Sequence, residues 1–210
     1  MLDLPPPYTE VQLRELGDAF DRARREAEAG AGAGLLVWVK RSDTVDCAVV
    51  LEPEERLSEA RGVIFAGLVA VADALAAISP PEKPLALGWP DEVRFDGGLV
   101  GGGRVGWPED CGEAEVPAWL VFGFTLRAEL PREHAGVPPT ALIAEGFDDF
   151  ETAPFVESFA RHFMQVLDSW SHDGLGAVED RFRGYGGTLH GDLALALQAP
   201  SWLMDGEIAA

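Results

Sequence analysis

Two cysteines in 210 residues, Cys47 and Cys111, are too few for a disulfide framework, so the chain must rely on its core, and a reducing cytoplasm is the expected setting. Basic residues are also scarce. Sixteen Lys and Arg face thirty-six Asp and Glu, and the resulting charge of -20 repels phosphate backbones and anionic lipid surfaces, which argues against nucleic acid and membrane as partners. No run approaches the roughly 20 apolar residues that span a bilayer; the best, Gly62 to Ala72, is broken by Asp73. The start, Met1 to Tyr8, lacks a basic then apolar leader and carries Pro5-Pro6-Pro7 instead, so no export is expected.

What is present is enough for a sizeable core. Nearly half the residues are apolar (47%), and the length predicts one domain, residues 1–185, followed by a short tail, 186–210. Val11, Leu13, Leu16, Phe20 and Ala23 recur at helical spacing and predict a helix running to Ala29. Leu35 to Val39 and Val45 to Leu51 are apolar β-runs around the polar turn Lys40 to Asp43, and predict adjacent strands. Ser58 is a good cap for a helix from Glu59 to Ile78 that is apolar all round, the pattern of a helix buried against a sheet. Pro80, Pro81 and Pro84 end it.

The second half turns to β structure. Val93 to Phe95 and Leu99 to Val105 flank Asp96-Gly97-Gly98, residues that tolerate the positive φ of a tight hairpin. Leu120, Phe122, Phe124 and Leu126 alternate with smaller residues and predict a covered strand from Trp119 to Ala128. A long connection runs from Glu129 to Thr140. Phe155, Phe159, Phe163, Val166 and Trp170 then mark the buried face of a last helix, with Pro154 in its first turn and Gly174 beyond its end.

The stretch Leu85-Ala86-Leu87-Gly88-Trp89-Pro90-Asp91-Glu92 to Gly98-Leu99-Val100-Gly101 resembles the signature hairpin of biotin and lipoate protein ligases, in which Lys-Trp-Pro-Asn-Asp is followed by Lys-Leu, a small residue and Gly. Asp18-Ala19 near the first helix, Val121 to Leu126 (similar to the family's Gly-Ile-Gly-Leu-Asn-Val strand), Thr140-Ala141-Leu142 and the aromatic last helix fall in the family's order, from about Leu13 to Tyr185. The resemblance implies an α+β fold: a mixed sheet with helices mainly on one face, like the class II synthetases, and a ligand cleft lined by the hairpin.

The departures bear on chemistry. Family members adenylate a carboxylate, and meet the developing phosphoryl charge with two hairpin lysines and an Arg-rich loop. Gly88 and Gly98 stand where the lysines belong, and Lys40-Arg41-Ser42-Asp43 is all that remains of the loop. One lost transition-state cation costs about 2–4 kcal/mol, so adenylation by the usual machinery is not expected. The small β-barrel module that follows the catalytic domain in many members is not expected from Gly186 to Ala210, which are too short for it, nor is the DNA-binding domain that precedes it in some.

The resemblance therefore implies a binding or regulatory protein for a small carboxylic acid of the biotin or lipoate type, with Trp89, Asp91, Gly101, Gly102, Gly103, Lys40 and Arg41 as candidate contacts. Competing readings are a ligase or acyltransferase with relocated cations, which alone would need ATP, Mg2+ and biotin or lipoate, and a module acting on a protein partner. Each contact has a plain alternative. Trp89 lines a pocket or fills the core; the glycines admit a ligand or let a hairpin pack closely; Asp91 and Glu92 orient a ligand or Mg2+, or are a solvated pair. Cys47 in an apolar strand reads as a small hydrophobe, and Cys111 in the acidic loop around Glu109, Asp110, Glu113 and Glu115 is ill placed to be a thiolate. His134, His162, His172 and His190 lack metal-ligand spacing, so no metal site is expected.

Overall fold

The computed structural model describes residues 1–80, 83–130 and 140–203. Seven strands form one mixed sheet: β1 (Thr9–Leu13), β2 (Leu35–Val39), β3 (Thr44–Leu51), β4 (Leu85–Gly88), β5 (Glu92–Phe95), β6 (Gly98–Gly106) and β7 (Leu120–Arg127). Their order across the sheet is β1-β2-β3-β7-β6-β5-β4, with β1 and β2 parallel and every other pair antiparallel. The central strand β7 is fully buried because both its faces are covered.

Two helical layers do the covering. On the inner face α3 (Val63–Ala76), α4 (Thr152–Asp173) and α5 (Leu175–Gly184) enclose the main core. Phe159 and Phe163 of α4 stack on each other and meet Phe122 of β7, so the aromatic face predicted for that helix is its sheet contact. The backbone of α3 comes close to β7: a Cβ on Gly67 would lie 2.2 Å from Phe122 Cζ. On the outer face α1 (Ala19–Glu28) packs Phe20, Ala23 and Ala27 on Val37, Ala48, Val50 and Val121.

The turn Asp96-Gly97 closes the β5–β6 hairpin as two residues, both with positive φ (49° and 79°), as the sequence required. Two expectations are corrected. Val11 and Leu13 lie in β1, not in a helix: their spacing satisfies period 2 as well as a helical face, and the pairing of β1 with β2 decides it. The helix starts only after Asp18, whose carboxylate accepts the Asp21 N–H, and Leu16 is left 97% exposed. The long helix from Glu59 is also divided, into α2 (Leu57–Ala60) and α3, and Ser58 gives it no side-chain cap. The break falls at Arg61-Gly62, where Arg61 turns its buried guanidinium over Trp107 and Gly62 admits Leu175 of α5.

Candidate functional site

The hairpin carries most of the predicted contacts, but it directs them to different sides. Trp89 packs toward α3 and the C-terminal segment, between Phe65 (ring centroids 5.7 Å) and His190 (5.1 Å). Asp91 is 1% exposed, and its carboxylate accepts hydrogen bonds from the amide and hydroxyl of Ser201. Burial pushes the Asp91 carboxyl up to about 6 despite those bonds, and the nearby Glu92 adds to the rise.

Each glycine of the β6 run lets another part of the chain approach. At Gly101 a Cβ would lie 2.0 Å from the Thr125 carbonyl oxygen, and at Gly103 it would meet Ile64 Cδ1 of α3 at 2.8 Å. At Gly102 it would strike both the Asp91 carbonyl oxygen and Trp202 Cδ1 at 2.2 Å. Trp202, 2% exposed, donates its indole N–H to the Gly103 carbonyl at 2.8 Å. The space that lysines would need is taken as well: a Cβ on Gly88 would lie 2.5 Å from Glu92 Oε2, and one on Gly98 2.5 Å from Thr140 Cγ2.

Cations near the hairpin are engaged. Arg94 pairs with Glu92, and Lys83 with Glu145. Arg127 is buried on β7 and donates to the Leu99 carbonyl. Arg104 sits on the outer face over the ring of Phe20 and pairs with Asp18, the cap of α1, at 2.9 Å. Asp46 lies beside it, with one oxygen accepting the Ala19 N–H and the other without a hydrogen-bond partner among the described residues. Burial raises the Asp46 carboxyl above the usual range, only partly offset by the Ala19 amide and Arg104. The cluster fixes the start of α1 to β3 and β6.

Lys40 and Arg41 stand apart from Trp89 and the glycines, where the carboxyl ends of the parallel strands β1 and β2 lie side by side. Arg41 reaches Thr44, Asp43 and the Glu15 carbonyl, and its own carbonyl accepts the Thr152 hydroxyl, so it ties the β2–β3 turn to the β1–α1 turn and to α4. Beside it a cleft of about 580 Å3 is lined by Gln12, Leu13, Arg14, Glu15, Leu16 and Lys40. Among the described residues, Arg14 and Lys40 make no ion pair. The helix predicted through Val11 to Phe20 hid Arg14 from sequence reasoning, and treating 186–210 as a tail hid Ser201 and Trp202. A tryptophan after Pro200-Ser201, with Leu189, Leu193, Leu195 and Leu197 spaced before it, was the available signal.

Other chemistry is sparse. Cys47 is fully buried, and burial raises its thiol well above the ordinary range; partial burial and then Glu115 and Asp110 raise that of Cys111. No group of three or more His, Cys, Asp or Glu able to hold a metal occurs among the described residues. His134 lies outside them. No helix is long and apolar enough to cross a membrane among the residues described.

The sequence matches the profile of the biotin/lipoate A/B protein ligase family over residues 4–184. A biotin protein ligase-like protein of unknown function from Silicibacter sp. TM1040 superposes with a TM-score of 0.82 at 32% identity, over 88% of this chain and 80% of that one. Biotin protein ligase from Aquifex aeolicus in complex with biotin and ATP aligns at TM-score 0.63 and 17% identity, over 84% and 78% of the two chains. The Leishmania major enzyme in complex with biotinyl-5-AMP gives TM-score 0.63 and 16% identity, over 89% and 85%. Among curated protein sequences none matches.

Proposed function

Because the chain belongs to the biotin/lipoate A/B protein ligase family, we propose that it is a member without the family's adenylating activity that binds a small carboxylic acid of the biotin or lipoate type, or a derivative, in the cleft between the β1–α1 turn and Lys40. One observation carries the reading. In a chain of charge -20, two cations with no ion-pair partner among the described residues, Arg14 and Lys40, flank the same cleft, with Leu13 and Leu16 beside them. That combination suits an apolar acid, its carboxylate set against the cations and its body against the leucines. Trp89, Asp91 and Gly101 to Gly103 then contribute by holding the hairpin together.

The loss of adenylation rests on the hairpin. A triphosphate brought there would meet Glu92 beside Gly88 and Thr140 beside Gly98, while Arg94, Arg104 and Lys83 are committed to carboxylates. Asp91, on the same hairpin, is buried and taken by Ser201. These residues do not fit MgATP, and we assign it no step.

The test is calorimetry or thermal shift with biotin, lipoate, octanoate and their adenylates. Binding raises the melting temperature, the rise growing with the logarithm of ligand concentration above Kd, and Arg14→Glu with Lys40→Glu removes that rise while leaving the unliganded melting temperature in place. A panel without any shift overturns the small-acid reading and leaves the protein-partner one.

A further inference from the structure

The last described segment is held to the body of the protein by separate anchors: His190 packs on Trp89, and Leu189, Leu193 and Leu197 on the main core. Between Gly186 and Leu203 most residues are exposed or half-buried, the helical structure is the four-residue α6 (Leu193–Ala196) and a single 3-10 turn at Ser201–Leu203, and Gly187, Leu197 and Trp202 are the buried exceptions. The far end is nevertheless seated with care. Trp202 lies on the outer face of β6 in a space that exists only because residue 102 has no side chain, and its N–H meets the Gly103 carbonyl. Ser201, next to it, gives both its donors to the buried Asp91. An indole seated on bare strand backbone, followed back by a mostly exposed chain in which Leu193 and Leu197 are the core contacts, is a contact built to be made and unmade as a unit.

We propose that residues 192–203 form a displaceable strap, with Trp202 as its plug and Asp91 as its catch, which closes the outer face of the β5–β6 hairpin and on lifting uncovers a slot for a flat ring bearing an N–H donor. With the strap down, the Asp91 carboxylate and the Gly103 carbonyl are spent on the chain itself. With it lifted, both acceptors face one slot whose floor is Gly102. The inference is independent of the cleft at Lys40, which the strap residues do not line.

Hydrogen exchange with mass spectrometry on the full chain tests it. In the wild-type protein, peptides covering 193–203 exchange at least tenfold faster than those of α3 and α4 at low denaturant, and peptides covering 98–106 lose protection together with the strap. Trp202→Ala raises exchange in both regions by a further tenfold or more, leaves α3 and α4 unchanged, and indole added at millimolar concentration restores the protection of 98–106. Ser201→Ala, which removes one bond and keeps the plug, gives the same pattern to a smaller degree. Strap amides that exchange only by the global unfolding that also opens α3 and α4, or a Trp202→Ala protein with wild-type exchange in 98–106 or no response to indole, would overturn the proposal.

Discussion

The side chain of Trp202 occupies the place where a side chain on Gly102 would be, ninety-nine residues from the strand carbonyl that its indole N–H meets. The dependence is mutual: the bare glycine leaves room for the ring, alongside the Asp91 carbonyl oxygen, and the indole has no other partner for its N–H among the described residues.

Gly102→Ala therefore measures how tightly the two are fitted. Its methyl must displace both the Trp202 ring and the Asp91 carbonyl oxygen, the second of which is backbone and yields little. Overpacking of this kind costs about 1–3 kcal/mol. The expected outcome is a lower urea midpoint with an unchanged m-value, and only part of that loss returns in a Trp202→Ala background. A midpoint equal to wild type would mean that the ring is not seated there.

The catch has a pH dependence whose sign follows from burial. In the closed form the Asp91 carboxyl titrates at about 6, whereas once uncovered it returns toward its ordinary value of 3.8. A group whose pKa is higher in the closed form takes up a proton on closing, so closure is strongest in acid and weakens as pH rises through the window from 3.8 to about 6. The groups facing the carboxylate, Ser201 from the strap and Glu92 from β5, supply no cation to reverse this. Exchange of 193–203, corrected for the intrinsic effect of pH on amide exchange, should be faster at pH 7.5 than at pH 5 by about tenfold, since pH 5 lies about one unit below the closed-form value. Asp91→Asn should flatten the dependence. Protection that grows with rising pH would contradict it.

At the other end of the outer face, Arg104 compensates charge that would otherwise be stranded. Arg104→Met takes the guanidinium from over Phe20 and leaves buried Asp46 with the Ala19 amide and the more distant Arg41, and a charge-assisted contact of this kind contributes about 1–3 kcal/mol. The loss should be greatest near pH 7 and shrink in acid, because the raised Asp46 carboxyl then takes up a proton and no longer needs a cation. Adding Asp46→Asn should recover part of it. Equal destabilisation by Arg104→Met at every pH would show that packing alone was lost.

How far the sequence could be read depended on the range of the forces involved. The hairpin turn was legible because Asp96-Gly97 satisfies a local backbone demand, and β2, β3 and β7 because their apolar runs have one sensible burial. The faces of α3 and α4 were legible for the same reason. β1 was not, since Val11 and Leu13 fit both periodicities and only the distant partner β2 selects one. The glycine run left two readings open because its packing partners, Thr125, Ile64 and Trp202, come from other elements. Arg14 and the strap were missed for a related reason: one was read inside a helix, and the other is held by contacts across about a hundred residues of chain.

The missing lysines lead to the firmest biochemical expectation. With MgATP and biotin, lipoate or octanoate, the protein should release no pyrophosphate above background, because two absent cations at about 2–4 kcal/mol each remove several orders of magnitude in rate. Restoring them should not be enough. Gly98→Lys needs Thr140→Gly to make room, Gly88→Lys must push Glu92 aside, and the turn Lys40 to Asp43 would still lack the arginines of the active enzymes, with Arg41 already tied to Asp43 and Thr44. The triple variant Gly88→Lys, Gly98→Lys, Thr140→Gly is accordingly expected to stay silent while keeping the wild-type circular dichroism spectrum. Substrate-dependent pyrophosphate release by the wild-type protein at an ordinary enzyme rate would sink this view, and would place the working cations among side chains now paired, Arg94 and Arg104 first.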